Sequence, residues 1–245
     1  MSQKFGVGYL IGVSRTDNQG NLLAIPQPYR FGILQDVSSE FSFEGKPLYG
    51  ANSLPVDRGR GKAKLSFSAK MADISIEGLS ALHFGVTPAV GFKGAAVDIP
   101  VTIAATTTPS IPSSGTFVAD MGVSDTSGNR YKRVSSAPAV GQYSVSAGVY
   151  TFNASDVGKA ALISLEYSAA TGSTMSLSNT LMGYSPSFQV MLFNDSKATK
   201  MAVKLTNCQS DKLSLPFKNE DFTVADFSWE ALDDGTGTAG YVSIM

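Results

Sequence analysis

From residue 36 to 44, DVSSEFSFE, apolar side chains fall at Val37, Phe41 and Phe43, while Ser38, Glu40, Ser42 and Glu44 take the even positions. A period of two is that of a strand with one buried and one wet face. Residues 62–70, KAKLSFSAK, repeat it, with Ala63, Leu65, Phe67 and Ala69 on one face and Lys62, Lys64, Ser66, Ser68 and Lys70 on the other. The two segments predict an antiparallel pair. Phe41, Phe43, Leu65 and Phe67 belong to its core side, and Glu40, Ser42, Glu44, Lys62, Lys64, Ser66 and Ser68 line a polar face or subunit seam. Continued backward, the same phase puts Arg58 and Arg60 on that polar face. Between the strands, residues 45–61 carry Pro47, Gly50, Asn52, Pro55, Gly59 and Gly61, which break regular structure. The spacing predicts a long loop, of a length that compact domains keep for function.

A short helix is expected next, over about 73–84, with Asp73 or Ser75 as its cap, Ile74, Leu79 and Leu82 as its apolar stripe and Gly85 at its end. Residues 91–136 are rich in Ala, Thr, Pro and Ser, and ATTTPSIPSSG (105–115) is their most linker-like part, so this region reads as an insertion or peripheral subdomain. From residue 142 the β-pattern returns as YSVS, GVYTF, ALISLEY (161–167), TMSLS (174–178), SFQVMLF (187–193), MAVKLTN (201–207), DKLSLPF (211–217) and FTVADFSWEAL (222–232). Phe188, Val190 and Leu192 alternate as core positions, and Trp229 is in phase with Phe227 and Ala231 as a core anchor. The expected fold is all-β with one short helix, an antiparallel β-sandwich or barrel built from 1–90 and 137–245.

Composition agrees with many short strands: 24 glycines, 43% hydrophobic and only 16% charged residues in a chain of 245. No apolar run approaches the roughly 20 residues needed to cross a bilayer. The N-terminal segment has one cation, Lys4, ahead of a broken apolar run, unlike a signal peptide. A single cysteine, Cys208, excludes an internal disulfide and fits synthesis in a reducing cytoplasm. Asn153-Ala154-Ser155 matches a glycosylation sequon, which matters only for a secreted chain.

Charge changes the picture at one place. Arg58, Arg60, Lys62, Lys64 and Lys70 bring five cations and no acid into 58–70, leaving the remainder at about −6. Gly59-Arg60-Gly61-Lys62 lacks the spacing, the following Ser or Thr and the helix of a phosphate loop. His83, the one histidine, supplies neither a zinc site nor a dyad with Cys208, and packing is the simpler role for both. Asp233 and Asp234 in DDGTGTAG lack the spaced ligands of a calcium loop. No cofactor or metal is expected, and no nucleophile stands beside a base in a recognisable order, which leaves a β-rich hydrolase the weakest class. Nucleic-acid binding is opposed by the chain's net charge of −1 and by Glu40 and Glu44, which are expected to neutralise the lysines across the strand pair.

The order of strand, long loop, strand, helix, insertion and β-rich end resembles the tail tube proteins, or major tail proteins, of long-tailed bacteriophages. The likeness is carried by ILQDVSSEFSFEGKPLYGANSLPVDRGRGKAKLSFSAK (33–70) with the helix to Gly85, by GVYTFNASDVGKAALISLEYS (148–168), by LSNTLMGYSPSFQVMLFN, and by KLSLPFKNEDFTVADFSWEALDD. The resemblance implies a structural virion protein, made in the host bacterial cytoplasm, whose inner sheet joins those of its neighbours in a hexameric ring. Stacked rings enclose a continuous β-barrel lumen, the conduit for DNA ejection, through which genomic double-stranded DNA passes without specific binding. Other copies of itself, a tape measure protein, a tail terminator and baseplate or tail-tip proteins are the implied partners. The loop at 45–61, with Leu48, Tyr49, Asn52, Leu54, Val56, Asp57, Arg58 and Arg60, corresponds to the family's ring-stacking loop. At about 3.3 Å per residue its contour reaches roughly 55 Å. Seven acids and two lysines in 211–245 form a candidate receiving surface for its basic foot. The chain length and the insertion favour a flexible, non-contractile tail. The alternative is a soluble β-sandwich binding module, such as a virion decoration or carbohydrate-binding domain, and clustered exposed aromatics would distinguish it.

Overall fold

A computed structural model describes residues 8–73, 75–177, 179, 181–196, 199–217, 219 and 222–245. The chain divides into two compact units, one formed by Met1–Pro88 with Met175–Met245 and the other by Ala89–Thr174. The elements in chain order are β1 (Tyr9–Ser14), β2 (Pro28–Arg30), β3 (Leu34–Tyr49), β4 (Pro55–Met71) and α1 (Ile76–Leu79), which runs on as a π-helical turn, Ser80–Phe84. The second unit holds β5 (Ala89–Thr102), β6 (Thr106–Thr107), β7 (Thr116–Asp125), β8 (Lys132–Arg133), β9 (Gln142–Ser146), β10 (Val149–Phe152) and β11 (Ala160–Thr174). The chain then returns to the first unit as β12 (Ser187–Ser196), β13 (Thr199–Ser214), β14 (Ala225–Ala231) and β15 (Gly240–Ile244). The fold is all-β, mostly antiparallel, with one short helix.

All eight strands of the first unit belong to one sheet, ordered β2-β1-β12-β13-β14-β4-β3, with β15 also paired to β13. β13 is long enough to take two partners along one edge, β15 at Met201–Leu205 and β14 at Cys208–Ser214. Period-two residues of these strands form the core: Phe67, Ala69, Phe188, Val190, Phe227 and Trp229 are buried. The Trp229 ring stacks on Phe67 at 5.9 Å and 9° and meets Phe227 at 5.4 Å. Burying side chains of this size contributes about 1.5–3 kcal/mol each. The helix closes on this core because its stripe is apolar where it faces inward. Leu79 and Leu82 are buried, and Leu82 lies against Gly12, where any Cβ would collide with it. Ser75 is the N-cap, its Oγ accepting from the Gly78 N–H, and Gly85 ends the turn in the left-handed region at φ 63°. The helix therefore starts at Ile76 rather than 73, and Ile74 of the expected stripe lies outside the described residues.

Several expectations need correction. The loop at 45–61 is not a loop: β3 and β4 stay paired out to Tyr49 opposite Pro55, so that five residues turn the chain. The two prolines stand on a ribbon whose edges are free, where a missing N–H breaks no inner ladder. Folding back as a ribbon cuts the reach of this segment from roughly 55 Å to about 25–30 Å. The region expected as an insertion over 91–136 is part of a unit that ends at Thr174, because β11 lies between β5 and β7 and completes their sheet. YSVS, GVYTF and ALISLEY thus belong to this second unit and not to the remainder of one large sandwich. TMSLS forms no separate strand, since β11 ends at Thr174, and Asp211–Ser214 is the end of β13. β1, β2 and β15 had no counterpart in the periodicity.

In the second unit, a sheet β5-β11-β7 and a sheet β6-β10-β9-β8 share one core. Ile163, Leu165 and Val123 come from the first, and Tyr143, Tyr150 and Phe152 from the second. Small residues in β5 and β7 keep the composition linker-like while Ala96, Ile103 and Val123 still supply buried positions.

Candidate functional site

The even positions of β3, β4 and β14 converge on one polar face of the first unit's sheet. Register places Ser38 opposite Ser68, Glu40 opposite Ser66 and Ser42 opposite Lys64, while β14 adds Asp226, Ser228 and Glu230 opposite Lys70, Ser68 and Ser66. β13 contributes Lys212 and Ser214, facing Ser228 and Asp226. Ser38 and Ser68 share a hydrogen bond of 2.8 Å, and the Ser228 hydroxyl donates to Asp211. Lys64 Nζ lies 2.7 Å from Glu230, Lys70 3.9 Å from Asp36 and Lys212 3.7 Å from Asp226. Five carboxylates, Asp36, Glu40, Asp211, Asp226 and Glu230, thus meet three ammonium groups, Lys64, Lys70 and Lys212, on a face of balanced to acidic charge.

Of the two lysines expected to be neutralised, Lys64 is paired, with a different partner, and Lys62 has no ion pair among the described residues. Lys64 is held by Glu230, and this hydrogen bond is the first cause that raises its pKa above the ordinary 10.5, followed by the Glu230 charge; Glu40 adds a weaker attraction. The reason is geometric. Glu40 stands opposite Ser66 and Ser42 opposite Lys64, so Glu40 reaches Lys64 only diagonally, whereas β14 brings Glu230 in from the other side. Lys62 and Glu44 are exposed further out, beside a register shift between Phe43 and Gly45.

That shift also overturns the phase of the two arginines. Beyond it Arg60 stands opposite Gly45 and Arg58 opposite Pro47, on the side of Phe43 and away from the lysines. Arg60 covers the Phe43 ring at 4.5 Å, and the Arg58 side chain fills the space where Gly45 lacks a Cβ. A bulge adds one residue to one strand and so exchanges its faces. The basic run is split accordingly, with the lysines on the polar face and the arginines on the apolar side.

Burial follows the same division. Phe67, Phe188, Val190 and Trp229 are core residues as expected, and Leu65 and Leu192 are partly buried. Phe41 and Phe43, expected in the core, are 46% and 50% exposed because β3 and β4 run past the last residue that β14 can cover, Glu230 opposite Ser66. Leu48, Tyr49, Leu54 and Val56 are more exposed still, and Asn52, Asp57, Arg58 and Arg60 are likewise open to solvent. The arm is a two-stranded ribbon with an apolar surface, and among the described residues no further strand of the first unit's sheet pairs with it. β3 ends the sheet order, so its outer edge is open along the chain.

Of the candidate receiving surface in 211–245, Asp211, Asp226 and Glu230 lie on the polar sheet face. Asp233 and Asp234 cap their own turn by accepting from the N–H groups of Gly235 and Thr236, and Glu220 and Asp221 fall outside the described residues.

One pair was not visible in the sequence because its members lie far apart: His83 Nδ1 and Ser210 Oγ are 2.6 Å from each other. Ser210 Oγ also lies 3.1 Å from the Ser228 carbonyl, so its hydroxyl bridges the imidazole and the backbone of β14, and the donor towards His83 depends on the imidazole tautomer. Burial lowers the His83 pKa below 6.5, with the Asp211 charge opposing. This arrangement ties the π-helical turn that carries His83 to β13 and β14. Cys208 is fully buried, and burial pushes its thiol up to about 12, which makes it unreactive. Among the described residues, no cluster of His, Cys, Asp and Glu could hold a metal ion, and no helix is long and apolar enough to cross a membrane. No protein-family model and no curated protein matches this chain.

Proposed function

We propose that the chain is a structural, self-assembling subunit of a phage tail tube, built as stacked hexameric rings around a lumen that conducts DNA. The observation that carries this reading is the β3–β4 arm. It exposes Phe41, Phe43, Leu48, Tyr49, Leu54 and Val56 on a ribbon that leaves the body of its own sheet. A two-stranded ribbon is marginal in water by itself, and apolar side chains gathered on one mark a surface that another molecule covers. A second copy of the chain is the covering partner in this reading, with the arm bridging rings as the resemblance implies.

The polar sheet face supports the same reading. Its position at the open edge of β3 suits it to continue from subunit to subunit by strand pairing and so to line a lumen. Its charge suits passage of DNA. Duplex DNA presents one negative charge per about 1.7 Å, so unopposed lysines repeated around every ring would retain it. Here Lys64, Lys70 and Lys212 each have a carboxylate within 4 Å, against five carboxylates on the body of the face, while Lys62, further out on the arm, has no ion pair among the described residues. The tape measure, terminator and tail-tip proteins remain the further partners on this reading, with the virion tail as its location.

Negative-stain electron microscopy of the purified full chain tests it. Rings or tubes with a central hole are expected. Compact monomers at all concentrations would overturn it and leave the soluble binding module.

A further inference from the structure

The second unit contains a cavity whose construction is independent of the arm and the polar face. In the sheet β5-β11-β7, both outer strands change register at the same point of the central strand. β5 shifts between Ile163 and Leu165, and β7 between Ser164 and Leu165. Bulges re-aim side chains, and two of them facing one residue open a sheet locally. On β5 the result is Asp98, a non-glycine residue at φ 55°, whose N–H donates to Ser164 Oγ at 3.1 Å. On β7 it is Gly122 at φ 120°, with open space where its Cβ would stand. Backbone held in a sparsely populated region inside a strand motivates a search for function at that point.

A cavity of about 350 Å³ lies at this point, lined by Asp98, Ser124, Arg130, Tyr131, Arg133 and Ser164 among others. One wall is fixed from below. Asp120, 3% exposed, accepts from the Tyr143 hydroxyl at 2.7 Å, the Tyr150 hydroxyl at 3.0 Å and the Gly122 N–H at 3.1 Å, and holds Arg133 at 3.6 Å. Preorganisation of this kind is what a binding site needs.

We propose that this cavity binds a neutral saccharide, one or two sugar units long. The lining offers a carboxylate acceptor in Asp98, positioned by the Ser164 hydroxyl at 3.4 Å, guanidinium donors in Arg130 and Arg133, the Ser124 hydroxyl, which does either, and Tyr131, whose ring is fixed edge-on against Phe152. Two guanidinium groups are balanced by the carboxylates of Asp98 and Asp120, so an anion gains little. A ligand with adjacent hydroxyls satisfies donors and acceptors together.

Saturation-transfer difference NMR on the full chain tests this, with glucose, galactose, rhamnose and N-acetylglucosamine as probes at tens of millimolar and sodium sulfate as competitor. This experiment detects the ligand and works whether the protein is a monomer or a tube. At least one sugar is expected to show transfer that is lost in Asp98→Gly and in Arg130→Ala, with circular dichroism unchanged. Asp98→Gly removes the carboxylate while keeping the backbone free to adopt its φ. Absence of transfer to every sugar, transfer that survives both variants, or displacement by sulfate would each overturn the assignment.

Discussion

The root and the arm of the β3–β4 hairpin follow the same alternation of apolar and polar residues, yet one is core and the other is surface. At the root, Phe67 is 4% exposed between Trp229 and Phe41, and the strands pair with β14. A few residues outward, Phe43 is half-exposed with only Arg60 over its ring, and the ribbon continues to Tyr49 and Pro55 without further cover. Period-two patterning thus reports that a face is meant to be covered, and it is silent on whether the cover comes from the same chain. In the arm, none of the described residues supplies it.

The largest effect separates the two regions most sharply. Phe67→Asp places a carboxylate against Trp229 with no cation to pair it, at a cost of several kcal/mol, comparable to the stability of a whole domain. No folded protein is expected by circular dichroism, and a soluble, cooperatively melting Phe67→Asp variant would show that the root is not core. The arm should respond oppositely. Replacing Leu48, Tyr49, Leu54 and Val56 together by Ser removes exposed apolar surface, so the melting temperature is expected to stay within a few degrees of wild type. Sedimentation velocity should show loss of all polymer. Normal polymer from this variant would remove the arm from assembly.

How much of this was legible in the sequence follows from what alternation encodes. Phe67, Phe188, Val190 and Trp229 were readable as core because each stands in phase with partners on a strand that is covered by its own unit. The helix cap and stop were readable from Ser75 and Gly85, whose roles are local. Phe41 and Phe43 were misjudged because their phase is right and their cover is absent. Arg58 and Arg60 were misplaced because one bulge, which leaves no signal in composition, exchanged the faces beyond it. Lys64 was given a cross-strand partner, whereas β14, distant in sequence, supplies the nearer one in Glu230. The same non-local pairing hid the true extent of the second unit, since β11 must arrive before β5 and β7 can share a sheet.

A smaller effect probes the polar side of the root. Glu230→Gln removes the partner that raises the pKa of Lys64, an exposed pair whose loss should barely change melting and should matter less as salt rises. Reversal is more informative than removal. Glu40→Lys with Glu230→Lys turns five acids against three bases into three against five on this face. If the chain assembles as proposed, the variant assembly is expected to bind double-stranded DNA with an affinity that falls steeply with salt, and the wild-type assembly to show none near physiological ionic strength. Tight binding by the wild type would contradict the proposal that this face lines a lumen.

The smallest effect contrasts the long arm with two short turns that are braced by their own side chains. Asp17-Asn18-Gln19-Gly20-Asn21 and Asp125-Thr126-Ser127-Gly128-Asn129 share the pattern Asp-x-x-Gly-Asn, one in each unit. Asp17 accepts from the N–H groups of Gln19 and Asn21 at 2.8 and 2.9 Å and from the Asn21 side chain at 3.0 Å. Asp125 repeats this with Ser127, Asn129 and the Asn129 side chain at 2.8, 2.8 and 2.9 Å. Gly20 and Gly128, at φ 82° and 88°, take the left-handed position that a side chain would strain. These bonds favour the ionised form, first through the asparagine side chain and then through the backbone, and lower both carboxyl groups below 3.8. A depressed carboxyl pKa stabilises the turn above the unfolded value and ceases to do so as pH falls through the folded one. The stabilisation is therefore complete near neutrality and disappears below the ordinary carboxylate range. In the four-serine arm variant, where the chain is expected to remain a monomer suited to solution NMR, the side-chain carboxyl carbons of Asp17 and Asp125 should both titrate below 3.8. Asn21→Ala should raise the Asp17 midpoint and leave that of Asp125 unmoved, because each brace is local to its own turn. A midpoint at or above 3.8 for either residue, or coupled movement of both, would show that these turns are no better fixed than the tip of the arm.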